Sequence, residues 1–296
     1  MRWITLSTLS HLGQTQVLAS SLKEHGHKLT CLVVDAWTDD AIPCDPQIMK
    51  TESMSILQED KKAQALINAY RGNKDALRWS LKSRYMIYNL EQRGEEVVYL
   101  DNDMYCLGRL DVVHDYLNRH PLLLTPHHYS LSTQKDQFWL EASLKHGLFN
   151  AGFVGASREG IKTLEWWSDA CLYRCEKSLL RGLFDDQKYL DQFPILEPRT
   201  LICPHPGINV GGWNATSRTR SMENHQLLVL GKECLLVHMN HYTLQSAFNG
   251  KDPLLQPIAA QYLDALNTHQ FSKDQSDFMS TSWRDRLKLW LWRKLS

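Results

Sequence analysis

Apolar residues fall in short runs divided by polar loops, and the order of the runs predicts the architecture. Trp3–Thr8 predicts a first strand, Gln14–His25 a helix closed by Gly26, and Lys28–Val34 a second strand ending at Asp35. A strand, a helix and a strand within 35 residues predict a βαβ unit and a parallel sheet. Ala36–Met49 holds Pro43 and Pro46 and predicts irregular chain. Met54–Tyr70 and Ala76–Glu91 have helical patterns, and Arg93-Gly94 ends the second. Short apolar runs at Val97–Leu100, Leu122–Thr125 and Phe153–Ala156 predict further strands. A helix is expected from Arg158 to Ser178. Leu227–Leu230 and Cys234–Met239 predict a late strand pair around a Gly231-Lys232-Glu233 turn. The expected fold class is therefore α/β: one Rossmann-like domain with a mixed, mostly parallel central sheet flanked by helices. It is expected over residues 1–249, with a helical extension over 250–296.

Composition narrows the function classes. A chain of 296 residues with 43% hydrophobic and 22% charged residues reads as an ordinary globular protein. Its formal net charge of +0 gives no whole-protein attraction to nucleic acid, which is not expected as a partner. The seven cysteines are odd in number and scattered, without a CxxC pair, so a structural zinc site is not expected. Several lie in apolar runs, as in Thr30-Cys31-Leu32-Val33, which suits a reducing compartment. The opening Met1–Thr8 reads as a strand, not a signal peptide, and no apolar run reaches the ~20 residues that span a bilayer. The expected location is cytoplasmic, with any membrane contact peripheral.

The chemistry concentrates at strand ends. Val97–Leu100 stops abruptly at Asp101-Asn102-Asp103. Residues two apart on an extended chain point the same way, so both carboxylates suit one hard divalent cation, which could carry a diphosphate. The same residues also favour a simple turn. Asp35 ends another strand, and ligands of open α/β sheets bind beyond the carboxyl ends of the strands.

Read in order, the motifs resemble a nucleotide-sugar-dependent glycosyltransferase of the GT-A type, nearest the retaining family 8 enzymes. Trp79-Ser80-Leu81-Lys82-Ser83-Arg84-Tyr85 resembles that family's helix with a basic residue ahead of the metal strand. Tyr99-Leu100-Asp101-Asn102-Asp103-Met104 resembles its DxD motif, and Phe149-Asn150-Ala151-Gly152-Phe153 its FNAG segment. Asp185-Asp186-Gln187-Lys188-Tyr189-Leu190 is similar to its DQD-x-LN segment. Leu236-Val237-His238 resembles its late strand ending in a metal-binding histidine. The set spans roughly residues 1 to 245. The family's HxxGxxKPW tail is absent: His241 stands where its glycine is expected. Glu165-Trp166-Trp167, His205-Pro206-Gly207 and Trp213-Asn214 resemble a bacterial branch of GT-A proteins instead.

The resemblance implies a donor site residue by residue. Asp101, Asp103 and His238 would hold Mn²⁺ or Mg²⁺, the imidazole favouring Mn²⁺. The metal would act as a Lewis acid on the leaving diphosphate. Lys82 would contact donor sugar or phosphate. Asn150 and Gly152 would form a close turn beneath the sugar. Asp186 would accept sugar hydroxyl hydrogen bonds, and the Gln187 amide would stabilise the developing oxocarbenium ion. Thr8, His11 and Asp35 are the candidates for base and ribose contacts, and Asn102 spaces the two carboxylates within the donor site. The implied donor is a UDP-sugar, the acceptor a glycan or lipid-linked group, and the outcome retention. From the residues alone, Lys82 suits a solvated helix face, Asp185 or Asp186 a helix cap, and His238 a structural or surface histidine. His127 and His128 are adjacent, so they are not expected to share a metal.

Two other readings stay open. A sugar nucleotidyltransferase also uses strand-end carboxylates, but normally has a basic, Gly-rich loop after strand one. Here Ser10-His11-Leu12-Gly13-Gln14 has one glycine and no Lys or Arg. A non-catalytic sugar or nucleotide binding module is the other. The tail 283–296 carries five Lys or Arg residues against Asp285, with Trp283, Leu287, Trp290, Leu291 and Leu295 on one helical stripe. That pattern suits peripheral contact with a membrane interface at its inner face, or a terminal helix packed on the domain.

Overall fold

Arg2–Ser7 forms β1, with all but its first residue buried. A computed structural model describes residues 1–269 of the chain. Leu29–Val33 (β2), Val97–Leu100 (β4) and Phe149–Ala156 (β7) are buried throughout, as strands covered by helices on both faces must be. With Lys50–Ser53 (β3), Leu122–Pro126 (β6) and Leu201–Ile202 (β10) they make a seven-stranded sheet in the order β10-β6-β7-β4-β1-β2-β3. β3, β2, β1 and β4 run parallel, whereas β7 is antiparallel to both β4 and β6. The mixed α/β sheet expected from the sequence is present.

Side chains alternate between two apolar layers. Ile4, Leu6, Val97 and Tyr99 face one, with Tyr85 and Leu90 of α4 (Lys82–Arg93) and Leu164 and Trp167 of α7 (Ile161–Tyr173). Trp3, Leu29, Cys31, Val98 and Leu100 face the other, with Leu18 and Leu22 of α1 (Leu12–Glu24) and Val113 and Leu117 of α5 (Asp111–Leu117). A third cluster joins Val17 of α1 to Leu244 of α9 (His241–Phe248) and Tyr262 of α10 (Gln256–Thr268). The Gln14 amide donates to the Tyr262 hydroxyl at 3.0 Å, tying α10 to the first βαβ unit.

Several elements differ from the sequence expectation. Met54–Tyr70 is not one helix: a 3₁₀ turn covers Met54–Leu57, and α2 (Lys61–Ala69) starts afresh at Asp60, whose carboxylate accepts the Ala63 N–H. Ala76–Glu91 divides at Leu81 into α3 (Lys74–Ser80) and α4, and Gly94 caps α4 in the left-handed conformation. The expected helix to Ser178 stops at Tyr173. There the Tyr70 hydroxyl donates to the Cys171 carbonyl and accepts the Cys175 N–H, satisfying backbone groups the helix end leaves open. Glu176–Ser178 (β8) instead pairs with Leu183–Asp185 (β9). α6 (Gln137–His146) and α8 (Phe193–Leu196) complete the helices among the described residues.

The late strand pair is also rearranged. Gln226–Val229 (β12) lies between Arg220–Glu223 (β11) and Lys232–Glu233 (β13). Leu236–His238 (β14) leaves that hairpin and pairs antiparallel with Met104–Cys106 (β5), directly after the aspartate pair. The His205-Pro206-Gly207 segment braces β14, because the Gly207 carbonyl accepts N–H groups from Leu235 and Leu236. A Cβ on Gly207 would lie 1.9 Å from the Glu233 carbonyl oxygen, so only glycine permits the approach. All seven cysteines are free thiols, and no described helix is long and apolar enough to cross a membrane. The basic tail lies outside the described residues.

Candidate functional site

Two strand ends from distant parts of the chain meet at one point. β4 ends at Leu100, the chain turns from Asp101 as Met104 N–H donates to the Asp101 carbonyl, and β5 pairs with β14. The pairing sets His238 opposite Met104, and the His238 Nε2 lies 3.0 Å from Asp103 Oδ1. Asp101, Asp103 and His238 each offer one ligand atom within 4.8 Å of the others. The aspartates thus occupy a turn, not an extended strand, and the turn and the carboxylate cluster coexist.

The orientation of His238 is fixed from behind. Its Nδ1 lies 3.3 Å from the Asn209 Oδ1, an acceptor, while the Asn209 Nδ2 donates to the Thr125 hydroxyl at 2.8 Å. Nδ1 therefore carries the hydrogen, and Nε2 faces Asp103. In the neutral ring two lone pairs would oppose each other at 3.0 Å, so a proton or a cation belongs between them. Burial disfavours the charged ring, but Asp103 and then Asp101 outweigh it and raise the His238 pKa above the usual value. Trp213 packs edge-on against the His238 ring, 5.4 Å between centroids.

Gly152 forms the floor. A Cβ there would meet Asn150 Oδ1 and His238 Cε1 at 2.7 Å and Asp101 Oδ2 at 2.9 Å. Asn150 and Gly152 lie in extended β7 and not in the expected close turn, because the strand continues as far as Phe149 to pair with β6. The His127 Nδ1–H donates to the Gly147 carbonyl, leaving Nε2 to accept from the Asn150 amide at 3.2 Å. The Asn150 Oδ1 then accepts the Gly152 N–H at 2.9 Å, and the Gly152 carbonyl accepts the Asp101 N–H at 2.9 Å. Burial first, then the nearby His146, lowers the His127 pKa to about 3, so it stays neutral in this chain of bonds. Gly152→Ala is expected to lower stability by about 1–3 kcal/mol, as overpacking does, and to weaken Mn²⁺ binding. Thermal melts and metal titration check this, and unchanged metal affinity would refute the floor role.

Lys82 is the buried cation of the site, at 2% exposure. Its Nζ lies 3.2 Å from Asp101 Oδ1, 3.2 Å from Asp186 Oδ2, and 4.8 Å from the centre of the Tyr99 ring. It also donates to the Ala151 carbonyl. The solvated-face reading of Lys82 is therefore excluded. Burial opposes its charge, but Asp101 and Asp186 raise its pKa well above the ordinary value, and it stays protonated. Burial lifts the Asp186 pKa, with Lys82 opposing and Asp185 and Asp101 adding to the rise. The Asp186 Oδ2 accepts no hydrogen bond within the described residues, although it lies at ion-pair distance from Lys82.

Asp186 stands just before a 3₁₀ helix (Gln187–Gln192) but its side chain caps nothing. Asp185 instead accepts the Gln187 N–H, with its backbone at φ +44. The Gln187 side chain crosses back to the floor: its Oε1 accepts the Ala151 N–H at 3.2 Å and its Nε2 donates to the His146 carbonyl at 3.0 Å. The Trp167 indole N–H donates to the Asp186 carbonyl, which anchors the segment on α7.

Thr8, His11 and Asp35 gather at the carboxyl ends of β1 and β2, beside β4 in the sheet. Thr8 Oγ1 and His11 Nδ1 share a hydrogen bond of 2.7 Å. Asp35 accepts the Leu9 N–H at 2.8 Å and pairs with Lys74 at 2.7 Å. Asn102 is turned inward, its amide facing Ser7 and Thr15 and its carbonyl oxygen accepting from Arg78 at 3.4 Å. His128 is not drawn to the metal cluster and contacts Arg218 instead. The sequence pattern gave no role to Asn209, to Tyr99, whose hydroxyl donates to Asp101, or to Arg78, and it weighed His127 only as one of an adjacent pair with His128. Arg78 sits four residues before Lys82 within the Ala76–Glu91 stretch that the pattern identified, so a basic pair at that spacing was its available signal.

No family model matches the chain. It is 27% identical to the uncharacterized protein YfnF of Bacillus subtilis (strain 168) over 174 residues, covering 57% of each chain. The match thus spans little more than half of that relative's length. Mouse xyloside xylosyltransferase 1, apo form, aligns over 82% of this chain and 98% of its own at 10% identity, with a TM-score of 0.49. The galactosyltransferase LgtC, solved with donor and acceptor sugar analogs, aligns over 93% of this chain and 98% of its own at 11% identity, with a TM-score of 0.53. The chain has the fold of that GT-A glycosyltransferase, with a cluster of two carboxylates and an imidazole at the end of a central strand.

Proposed function

We propose that this protein is a metal-dependent glycosyltransferase that moves a sugar from a nucleotide-diphosphate donor, a UDP-sugar, to a glycan or lipid-linked acceptor with retention. The convergence of Asp101, Asp103 and His238 carries this reading, and the fold shared with LgtC supports it. Asp101, Asp103 and His238 would hold Mn²⁺ in preference to Mg²⁺, because an imidazole ligand suits a transition metal. The ion would supply Lewis acidity toward a leaving diphosphate.

The chain's own residues prepare the rest. Lys82 keeps Asp101 ionised and aimed, since its charge lowers the Asp101 pKa against the effect of burial. Asp186 offers a buried, unsatisfied oxygen to a donor-sugar hydroxyl. The Gln187 Oε1, held by Ala151 N–H, has a second lone pair that would face the positive charge developing at the anomeric carbon. Thr8, His11 and Asp35 would bind base and ribose. The nucleotidyltransferase reading gains no support, because the loop after β1 is a short 3₁₀ turn closed by Thr8, Ser10 and His11 bonding one another. A degenerate binding module would have no need to bury Lys82 between two carboxylates.

The test is a nucleotide-sugar screen with Mn²⁺, read as diphosphate release and thermal stabilisation. A UDP-sugar should raise the melting temperature only when metal is present, and the absence of any stabilising nucleotide sugar would defeat the reading. A lipid-linked acceptor would draw the enzyme to a membrane surface through residues 283–296. Liposome flotation of the full chain should exceed that of a chain ending at residue 282, and equal flotation would remove this part of the proposal.

A further inference from the structure

A cavity of about 750 Å³ opens at the amino ends of β1, β2 and β3, lined by Arg2, Lys23, Lys28 and Lys50 with one carboxylate, Glu95. It lies at the opposite end of the sheet from the donor site, and strands of this length span roughly 17–20 Å. The chain as a whole has a formal net charge of +0, so this collection of cations is local. Lys50 shares its charge with Glu52 at 2.5 Å. Among the described residues no carboxylate pairs with Arg2, Lys23 or Lys28; Lys23 Nζ donates to the Gln47 carbonyl, and Arg2 Nη1 donates to the Thr30 hydroxyl at a long 3.4 Å. The Arg2 Nε is buried and has no hydrogen-bond partner among the described residues. A buried guanidinium N–H without a partner is costly, and a turn of the Arg2 head toward an anion in the cavity would relieve that cost.

We propose that this cavity is a second binding site, for a ligand bearing a phosphate or diphosphate group. Its volume suits a small phosphorylated molecule or the headgroup of a lipid. Arg2 supplies a planar fork for phosphate oxygens, and Lys23 and Lys28 supply mobile point charges at the rim. Lys23 lies in the last turn of α1, the helix that begins directly after the Thr8–His11 loop of the proposed donor site. The site stands independently of the transferase reading, since it uses none of the same side chains.

The test uses inorganic pyrophosphate, with EDTA present so that no metal recruits it to Asp101 and Asp103. Calorimetric titration of the full-length protein should detect binding, and Lys23→Glu with Lys28→Glu should weaken it by roughly tenfold or more. Both residues are exposed, so the fold tolerates the change. Lys162→Glu, an exposed charge reversal on α7 away from the cavity, should leave binding unchanged. Flotation with phosphatidylcholine vesicles, with and without phosphatidic acid, separates the sources. Retention by the anionic vesicles that is lost in the Lys23/Lys28 variant assigns a lipid headgroup, and pyrophosphate binding without such retention assigns a soluble ligand. No binding to either probe, equal weakening by Lys162→Glu, or full affinity in the Lys23/Lys28 variant would overturn the proposal.

Discussion

Asp101→Asn and Asp103→Asn should each lower sugar transfer by roughly a thousandfold or more, because each removes an anionic ligand from the ion that stabilises the leaving diphosphate. Mn²⁺ titration should register the loss directly, without relying on a known acceptor. The two changes should differ in their effect on the unliganded protein. Asp101 is bound by Lys82 and Tyr99, so its neutralisation leaves Lys82 with Asp186 as its ion-pair partner among the described residues. Asp103 lies against the His238 ring, so its neutralisation should lower the His238 pKa. The pH dependence has a definite sign. A metal needs neutral His238, whose pKa stands above the usual value chiefly because Asp103 outweighs burial. Metal affinity should therefore rise with pH through that pKa and fall as His238 takes up its proton below it. Affinity independent of pH across the imidazole range would remove His238 from the ligand set.

Lys82→Met should lower stability by about 3–5 kcal/mol, the cost of leaving buried charge uncompensated. Lys82 is 3% exposed at its side chain and sits between Asp101 and Asp186, whose side chains are 25% and 2% exposed. Removing it turns two attractions into one repulsion. Asp186 can relieve part of this by taking up a proton, as burial already raises its pKa. Two measurements make the argument specific to charge. Adding Asp186→Asn to the Lys82→Met chain should recover part of the lost stability in urea denaturation, because the second carboxylate is then neutral. Mn²⁺ should also stabilise the Lys82→Met chain, by replacing the missing cation beside Asp101. If Lys82→Met unfolds no more easily than the native chain, the buried pair does not hold the site together.

The sheet core was legible because strands buried on both faces must be continuously apolar, as Val97–Leu100 and Leu29–Val33 are. β3 was not legible, since Lys50-Thr51-Glu52-Ser53 has no apolar run and is recruited only by pairing with β2. The breaks at Leu57–Asp60 and at Leu81 lay inside apolar stretches with helical spacing, where a cap residue such as Asp60 looks like any surface carboxylate. Cys234–Met239 read as one arm of a hairpin because Gly231 is a strong local turn signal. The tertiary preference of Leu236–His238 for β5 overrode that local preference.

Within the site, the sequence by itself determined the chemistry available: a strand-end pair of carboxylates, a lysine on the preceding helix and a histidine after a late apolar run. Such signals are local, because they depend on residue type and on spacing along a few residues. Only the tertiary structure decided which of them meet. The β5–β14 pairing brings His238 to Asp103 across 134 intervening positions of chain. Asn209 and His127 fix their neighbours' orientation through single hydrogen bonds that leave no periodic trace. Lys82 became a buried ion-pair centre because the break at Leu81 and the approach of β9 toward α3 close the space around it. Burial and pairing are properties of surroundings contributed by distant segments, and no window of sequence contains them.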